Sequence, residues 1–183
     1  MSSHTLHATI LNLDPAWANR TAVKTSKGQV DYAQLRDYAV RLAHWLVNNG
    51  CQPGDRIAVC LPKSIDSVVS LLGSMMAGAA YVPVDPTAPA QRQATIAGLA
   101  GAQRMITTPE IAAALRETGM DLPPLTELTP VGIGAGVAAL VADVPAQVPD
   151  AGAAVGADDL AAILFTSGST GVANINTSCK PAL

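Results

Sequence analysis

The chain has 183 residues, with 11 Lys+Arg against 14 Asp+Glu and a formal net charge of −3. At 49% hydrophobic and 14% charged it is too apolar for a disordered chain, and it lacks the excess of positive charge that a nucleic-acid backbone requires. Aromatics make up 3%, and between Tyr81 and Phe165 there is none on which a base could stack.

In chain order, the first seven residues have no basic residue followed by an apolar block, so no signal peptide is read there. Thr21–Thr25 and Gln29–Asp31, separated by Ser26-Lys27-Gly28, predict a hairpin. Asp31 is placed to cap a helix, with Gln34 at the capping-box position. Leu35, Tyr38, Ala39, Leu42 and Leu46 then recur at helical spacing up to a stop at Gly50. Turn chemistry at Gln52–Asp55 precedes a short apolar run, Arg56–Leu61, that suits a buried strand.

Ser64 is positioned to cap a second helix with Ile65, Val68, Val69, Leu72, Met75 and Met76 as its buried set, the two methionines filling core gaps. No charge occurs between Asp66 and Asp85, yet Gly73, Gly78 and Pro83 interrupt this stretch. It reads as buried helix, turn and buried strand (Tyr81–Val84) rather than a membrane span. A helix from about Pro89 to Leu99, a strand at Arg104–Thr107 and a helix over Pro109–Glu117 ended by Gly119 follow. Strands alternating with helices indicate an α/β class, a parallel sheet with right-handed βαβ crossovers.

From about Leu122 to Ala157, Ala, Gly, Val and Pro dominate without a sustained period. A long surface connection is expected, with one short strand around Val137–Val141. Gly132-Ile133-Gly134-Ala135-Gly136-Val137 resembles a dinucleotide fingerprint, but Val137 stands where the third glycine belongs, no firm strand precedes it and no periodic helix follows. Cys51, Cys60 and Cys179 cannot all pair within one chain and are expected as reduced thiols of a cytoplasmic protein.

Order returns at Asp158–Phe165, a short apolar strand candidate that runs into Thr166-Ser167-Gly168-Ser169-Thr170-Gly171. Glycines free backbone N–H groups to point inward and hydroxyls add donors, so such a run can surround phosphate oxygens. By composition alone a solvent loop is an equal reading. A Walker-type loop is excluded, because there is no Gly-Lys-Ser/Thr.

The order of those six residues resembles the phosphate-binding loop of the adenylate-forming (AMP-binding) enzymes, which include acyl-CoA synthetases and the amino-acid-adenylation domains of peptide synthetases. Val30-Asp31-Tyr32-Ala33-Gln34-Leu35 resembles that family's first core motif and Ala77–Pro86 its second. Pro89-Ala90-Gln91-Arg92 continues in the manner of the amino-acid-adenylating branch. The resemblance implies an AMP-forming ligase that activates a carboxylate with ATP and Mg²⁺ as an acyl-adenylate, open to the thiol of CoA or a carrier protein. It implies Thr166, Ser167, Gly168, Ser169, Thr170 and Gly171 as the ATP-phosphate loop, with the hydroxyls of Thr166, Ser169 and Thr170 as donors, and Tyr81, Pro83 and Asp85 as structural.

After Gly171 the family pattern continues with a variable residue and Pro-Lys-Gly, whereas this chain has Val172-Ala173-Asn174-Ile175, a neutral amide where the lysine is expected. Residues 1–171 are therefore expected to be an incomplete N-terminal AMP-binding domain. Residues 172–183 are expected to be a divergent tail arising from a changed reading frame or a junction, which sequencing of the coding DNA past codon 171 would test. The chain alone is expected to be inactive and to self-associate through unpaired strand edges, with no membrane span. The second reading is a non-catalytic phosphate-binding or assembly fragment.

Overall fold

The computed structural model describes residues 5–129, 134–150, 155–156, 158–167 and 173–176. Helix α1 (Leu6–Leu11) and a 3-10 turn (Pro15–Trp17) precede the hairpin of β1 (Thr21–Thr25) and β2 (Gly28–Asp31), whose register runs from Thr21↔Asp31 to Thr25↔Gly28. Helix α2 (Tyr32–Asn48) starts on the expected capping box. The Asp31 carboxylate accepts from the Gln34 N–H at 2.8 Å, and the Gln34 side chain accepts from the Asp31 N–H at 3.1 Å. These reciprocal bonds satisfy two backbone donors that a helix start leaves open.

The body is a four-stranded sheet in the order β4-β3-β5-β6: β3 is Arg56–Cys60, β4 Ala80–Pro83, β5 Arg104–Thr107 and β6 Leu125–Glu127. All three pairings are parallel, with Ala58 opposite both Val82 and Met105. The connecting helices are α3 (Ile65–Met76), α4 (Ala90–Ala100) and α5 (Pro109–Glu117). Successive strand residues face opposite sides. Ile57, Val59 and Ile106 enter a core with α2 and α3, whereas Ala58, Cys60 and Met105 enter a second core with α4 and α5. The result is the expected α/β arrangement, a helix–sheet–helix sandwich.

Helices α2 and α3 approach closely because Gly73 carries no side chain: a Cβ there would stand 2.9 Å from Leu42 Cδ2. Ser64 caps α3 as expected, with Ser67 as its reciprocal partner. Ile65, Val69, Met75 and Met76 are buried, while Val68 and Leu72 are half-buried. The apolar pattern missed a buried polar row, Asp66, Ser70 and Ser74. Its serines are tolerated in the core because each hydroxyl donates to the carbonyl one turn back, Ser70 to Asp66 and Ser74 to Ser70, both at 2.7 Å.

Two expectations are corrected between 122 and 157. The stretch contributes a sheet strand, β6, and Val137–Val141 belongs to helix α6 (Ala135–Leu140) and its end rather than to a strand. Val137 and Val141 are buried in the α2/α3 core. The reason is tertiary: the Asp66 carboxylate accepts the N–H of Val137 at 2.8 Å and that of Gly136, and so supplies from α3 the N-terminal cap that the local sequence lacks. The rejected fingerprint falls partly on this helix start, with Gly132 and Ile133 outside the described residues.

Candidate functional site

The carboxyl ends of β3, β4, β5 and β6 lie at one edge of the sheet, the edge at which open α/β folds bind ligands. Residues 161–163 join the sheet beside β4. The Tyr81 N–H donates to Ala161 O and the Ile163 N–H donates to Tyr81 O, both at 3.0 Å, forming a parallel bridge between Tyr81 and Ala162. The chain therefore runs in the same direction as β4 and heads for the carboxyl edge. Ile163 is buried and Phe165 packs against the α4/α5 core, which anchors the approach.

The strand expected at Asp158–Phe165 is observed as β7, Leu164–Ser167, displaced because Asp158 and Asp159 form a turn whose Asp159 carboxylate accepts from the Gly156 N–H at 2.8 Å. β7 pairs antiparallel with β8 (Ala173–Asn176), from Leu164↔Asn176 to Ser167↔Ala173. Of the six expected loop residues, Thr166 and Ser167 are thus the end of β7, while Gly168, Ser169, Thr170 and Gly171 lie outside the described residues.

At the same edge the chain leaves β4 through a tightly bonded turn. The Asp85 carboxylate accepts from the Thr87 N–H at 2.8 Å and from its hydroxyl at 2.7 Å, and these bonds hold its pKa below the ordinary carboxylate value. A residue that motif reading overlooked secures the turn from below: buried Gln93 donates through Nε2 to the carbonyls of Asp85 (3.2 Å), Pro86 (3.2 Å) and Ala88 (2.9 Å). Its signal in the sequence was a polar side chain on the otherwise apolar face of α4. Asp85 acts here as a turn former, in line with the structural role expected of it.

The sequence from Leu160 to Leu183 contains no Asp or Glu. By residue type, the hydroxyls and backbone N–H groups of the run at 166–171 are a donor set of the kind that phosphate oxygens accept. It does not fit a metal by itself, and among the described residues no cluster of three His, Cys, Asp or Glu could hold one. Cys51 and Cys60 are free thiols, pushed up by burial to about 11 and about 12, and so supply no thiolate near neutral pH. No described helix is long and apolar enough to cross a membrane.

Comparison with known proteins agrees with this geometry. The chain is 34% identical over 167 residues to a probable non-canonical nonribosomal peptide synthetase, CymA, of Salinispora arenicola, an alignment covering 89% of the chain and 2% of that protein. Across the curated relatives at the head of the comparison the chain spans between 1 and 15% of their length. The fold matches the Klebsiella oxytoca NpsA N-terminal subdomain with a TM-score of 0.76 at 22% identity, covering 95% of this chain and 40% of that one. ATP-bound MatB from Rhodopseudomonas palustris matches with a TM-score of 0.76 at 28% identity, covering 94% of this chain and 34% of that one. The profile of the AMP-binding enzyme family matches residues 15–173, from the turn before β1 to the first residue of β8, and the chain belongs to that family.

Proposed function

We propose that this chain is the phosphate-holding portion of an AMP-forming ligase, in which a carboxylate attacks the α-phosphate of ATP to give an acyl-adenylate and pyrophosphate. The observation that supports the reading is the parallel bridge of Ala162 to Tyr81, which sets residues 161–163, ahead of the Gly/Ser/Thr run in sequence, parallel to β4 and toward the carboxyl edge of the sheet. In this reading Thr166, Ser167, Gly168, Ser169, Thr170 and Gly171 surround the β- and γ-phosphates. The hydroxyls of Thr166, Ser169 and Thr170 and the backbone donors spread the charge of the leaving group and hold it in line. Mg²⁺, for which the described residues offer no ligand cluster, would come with the nucleotide and add positive charge at its phosphates. Likeness to a peptide synthetase favours an amino acid as the carboxylate and a carrier-protein thiol as acceptor, with CoA as the alternative.

The remaining parts of the proposal concern the isolated chain. Residues 1–171 form the incomplete AMP-binding domain and 172–183 a divergent tail, with Asn174 supplying a dipole where the family has a lysine. The reduced thiols Cys51 and Cys60 favour a cytoplasmic setting. Exposed Leu160 and Leu164, on the approach beside β4, favour self-association.

The purified chain is expected to bind ATP weakly, to lose about tenfold in affinity on Gly168→Ala, and to catalyse no carboxylate-dependent exchange of labelled pyrophosphate into ATP. Exchange by this chain would overturn the assignment of inactivity, ATP affinity indifferent to Gly168→Ala would overturn the loop, and a monodisperse monomer in light scattering would remove self-association.

A further inference from the structure

The pairing that brings the chain alongside β4 is an isolated bridge, and the backbone of β4 shows why it goes no further. In a parallel ladder a residue that faces the neighbouring strand turns both its N–H and its C=O toward it, and alternate residues do so. The N–H groups of Ala80 and Val84 point inward, donating to Asp55 O at 2.8 Å and Val59 O at 3.0 Å on the β3 side. Tyr81 points outward, where its N–H donates to Ala161 O and its C=O accepts from the Ile163 N–H. The next outward position is 83. A continued ladder would need an N–H there to donate to Ile163 O, and the carbonyl of the same residue to accept from the Phe165 N–H. Residue 83 is proline, which has no N–H and is tolerated in a strand only where the missing donor faces an edge.

The character of the chain changes at the same point. Ile163 is buried in the α4/α5 core, whereas Leu164 is 41% exposed. From Leu164 onward the strand has a different partner, pairing antiparallel with β8 in a sheet separate from that of β4. Pro83 itself is exposed, so its ring is not needed to fill the core. We propose that Pro83 is a positioning residue: by withholding one N–H from the outer edge of β4 it ends the parallel pairing at Ile163, and so sets the point at which β7 leaves the sheet to pair with β8. An added rung would draw Phe165 and the residues after it along β4 instead. The stop itself rests on backbone geometry alone. Its consequence for nucleotide binding rests on the reading of Thr166 and Ser167, the end of β7, as the start of the phosphate loop.

The test is amide hydrogen exchange on the ¹⁵N-labelled 183-residue chain and its Pro83→Val variant, without nucleotide. In the parent, the amides of Leu164–Ser167 are expected to exchange at least about tenfold faster than those of Tyr81 and Ile163. In Pro83→Val the new N–H at position 83 is expected to show a scalar coupling to the Ile163 carbonyl across a hydrogen bond, and the Phe165 amide to slow to the rate of Ile163. The stop is overturned if the parent protects residues 164–167 as well as it does Tyr81 and Ile163, or if a folded Pro83→Val variant leaves the new N–H unprotected. In a parallel ATP titration the variant is expected to bind about tenfold more weakly than the parent. Equal affinity with the added rung in place would overturn the positioning role. A parent that shows the exchange contrast and binds no ATP would overturn the reading of the loop and not the stop.

Discussion

The body of the sheet and the stretch that leads to the proposed phosphate loop are secured by different means. In the body, α2, α3 and α5 begin on caps written into their own sequence, at Asp31, Ser64 and Thr108, and the chain turns at glycines with positive φ such as Gly50, Gly101 and Gly119. Residues 161–167 are instead positioned by distant or later partners: Tyr81 holds residues 161–163, and β8 holds β7. Local bonds make the body independent of context. The approach depends on the body's having formed, as expected for a functional segment carried on a rigid frame.

The sharpest way to break this contrast is to weaken the body alone. Leu42→Ala removes a fully buried side chain packed against Gly73 and is expected to cost about 2–5 kcal/mol in urea unfolding. A loss below about 1 kcal/mol would show that the α2–α3 contact is not what the body rests on. A smaller loss is expected where body and site edge meet. Gln93→Leu keeps the volume but leaves the carbonyls of Asp85, Pro86 and Ala88 without this donor, costing about 1–3 kcal/mol. Amide exchange at Thr87 and Ala88 should quicken, and exchange rates equal to those of the parent would refute the clamp.

The smallest effect is pH dependence at Asp66. Burial raises its carboxyl pKa above the ordinary 3.8, so in acid the folded chain retains this proton when the unfolded chain has lost it. The stability it contributes is fully present below pH 3.8 and is lost as pH rises through the folded value. Asp66→Asn should flatten that fall while keeping an acceptor for Val137. A stability–pH curve identical to the parent's would deny Asp66 the role.

The contrast also explains what could be read in advance. The hairpin, the capping boxes at Asp31 and the serine cap at Ser64, the parallel sheet and the buried character of Ala77–Val84 all follow from spacing and capping chemistry within a few residues. Helix α6 did not: its first N–H groups are capped by a carboxylate about seventy residues away, so its own Ala/Gly sequence carries no start signal. Strand β6 is three residues long, too short for a period of two to register. Gln93 was passed over because a polar residue in a helix reads as solvent-facing unless its acceptors are known. For the proposed loop, the residue types were legible at 166–171, whereas the direction from which the chain arrives became visible only through the Tyr81–Ala162 bridge.

The hairpin of β7 and β8 bears on how this segment can vary. Its register runs from Leu164 opposite Asn176 to Ser167 opposite Ala173. A one-codon insertion within β7 or β8 would exchange the faces of every residue beyond it. Ordinary surface loops absorb length changes readily, but two paired strands act as a ruler. Evolution can substitute within β7 and β8 more freely than it can lengthen either one.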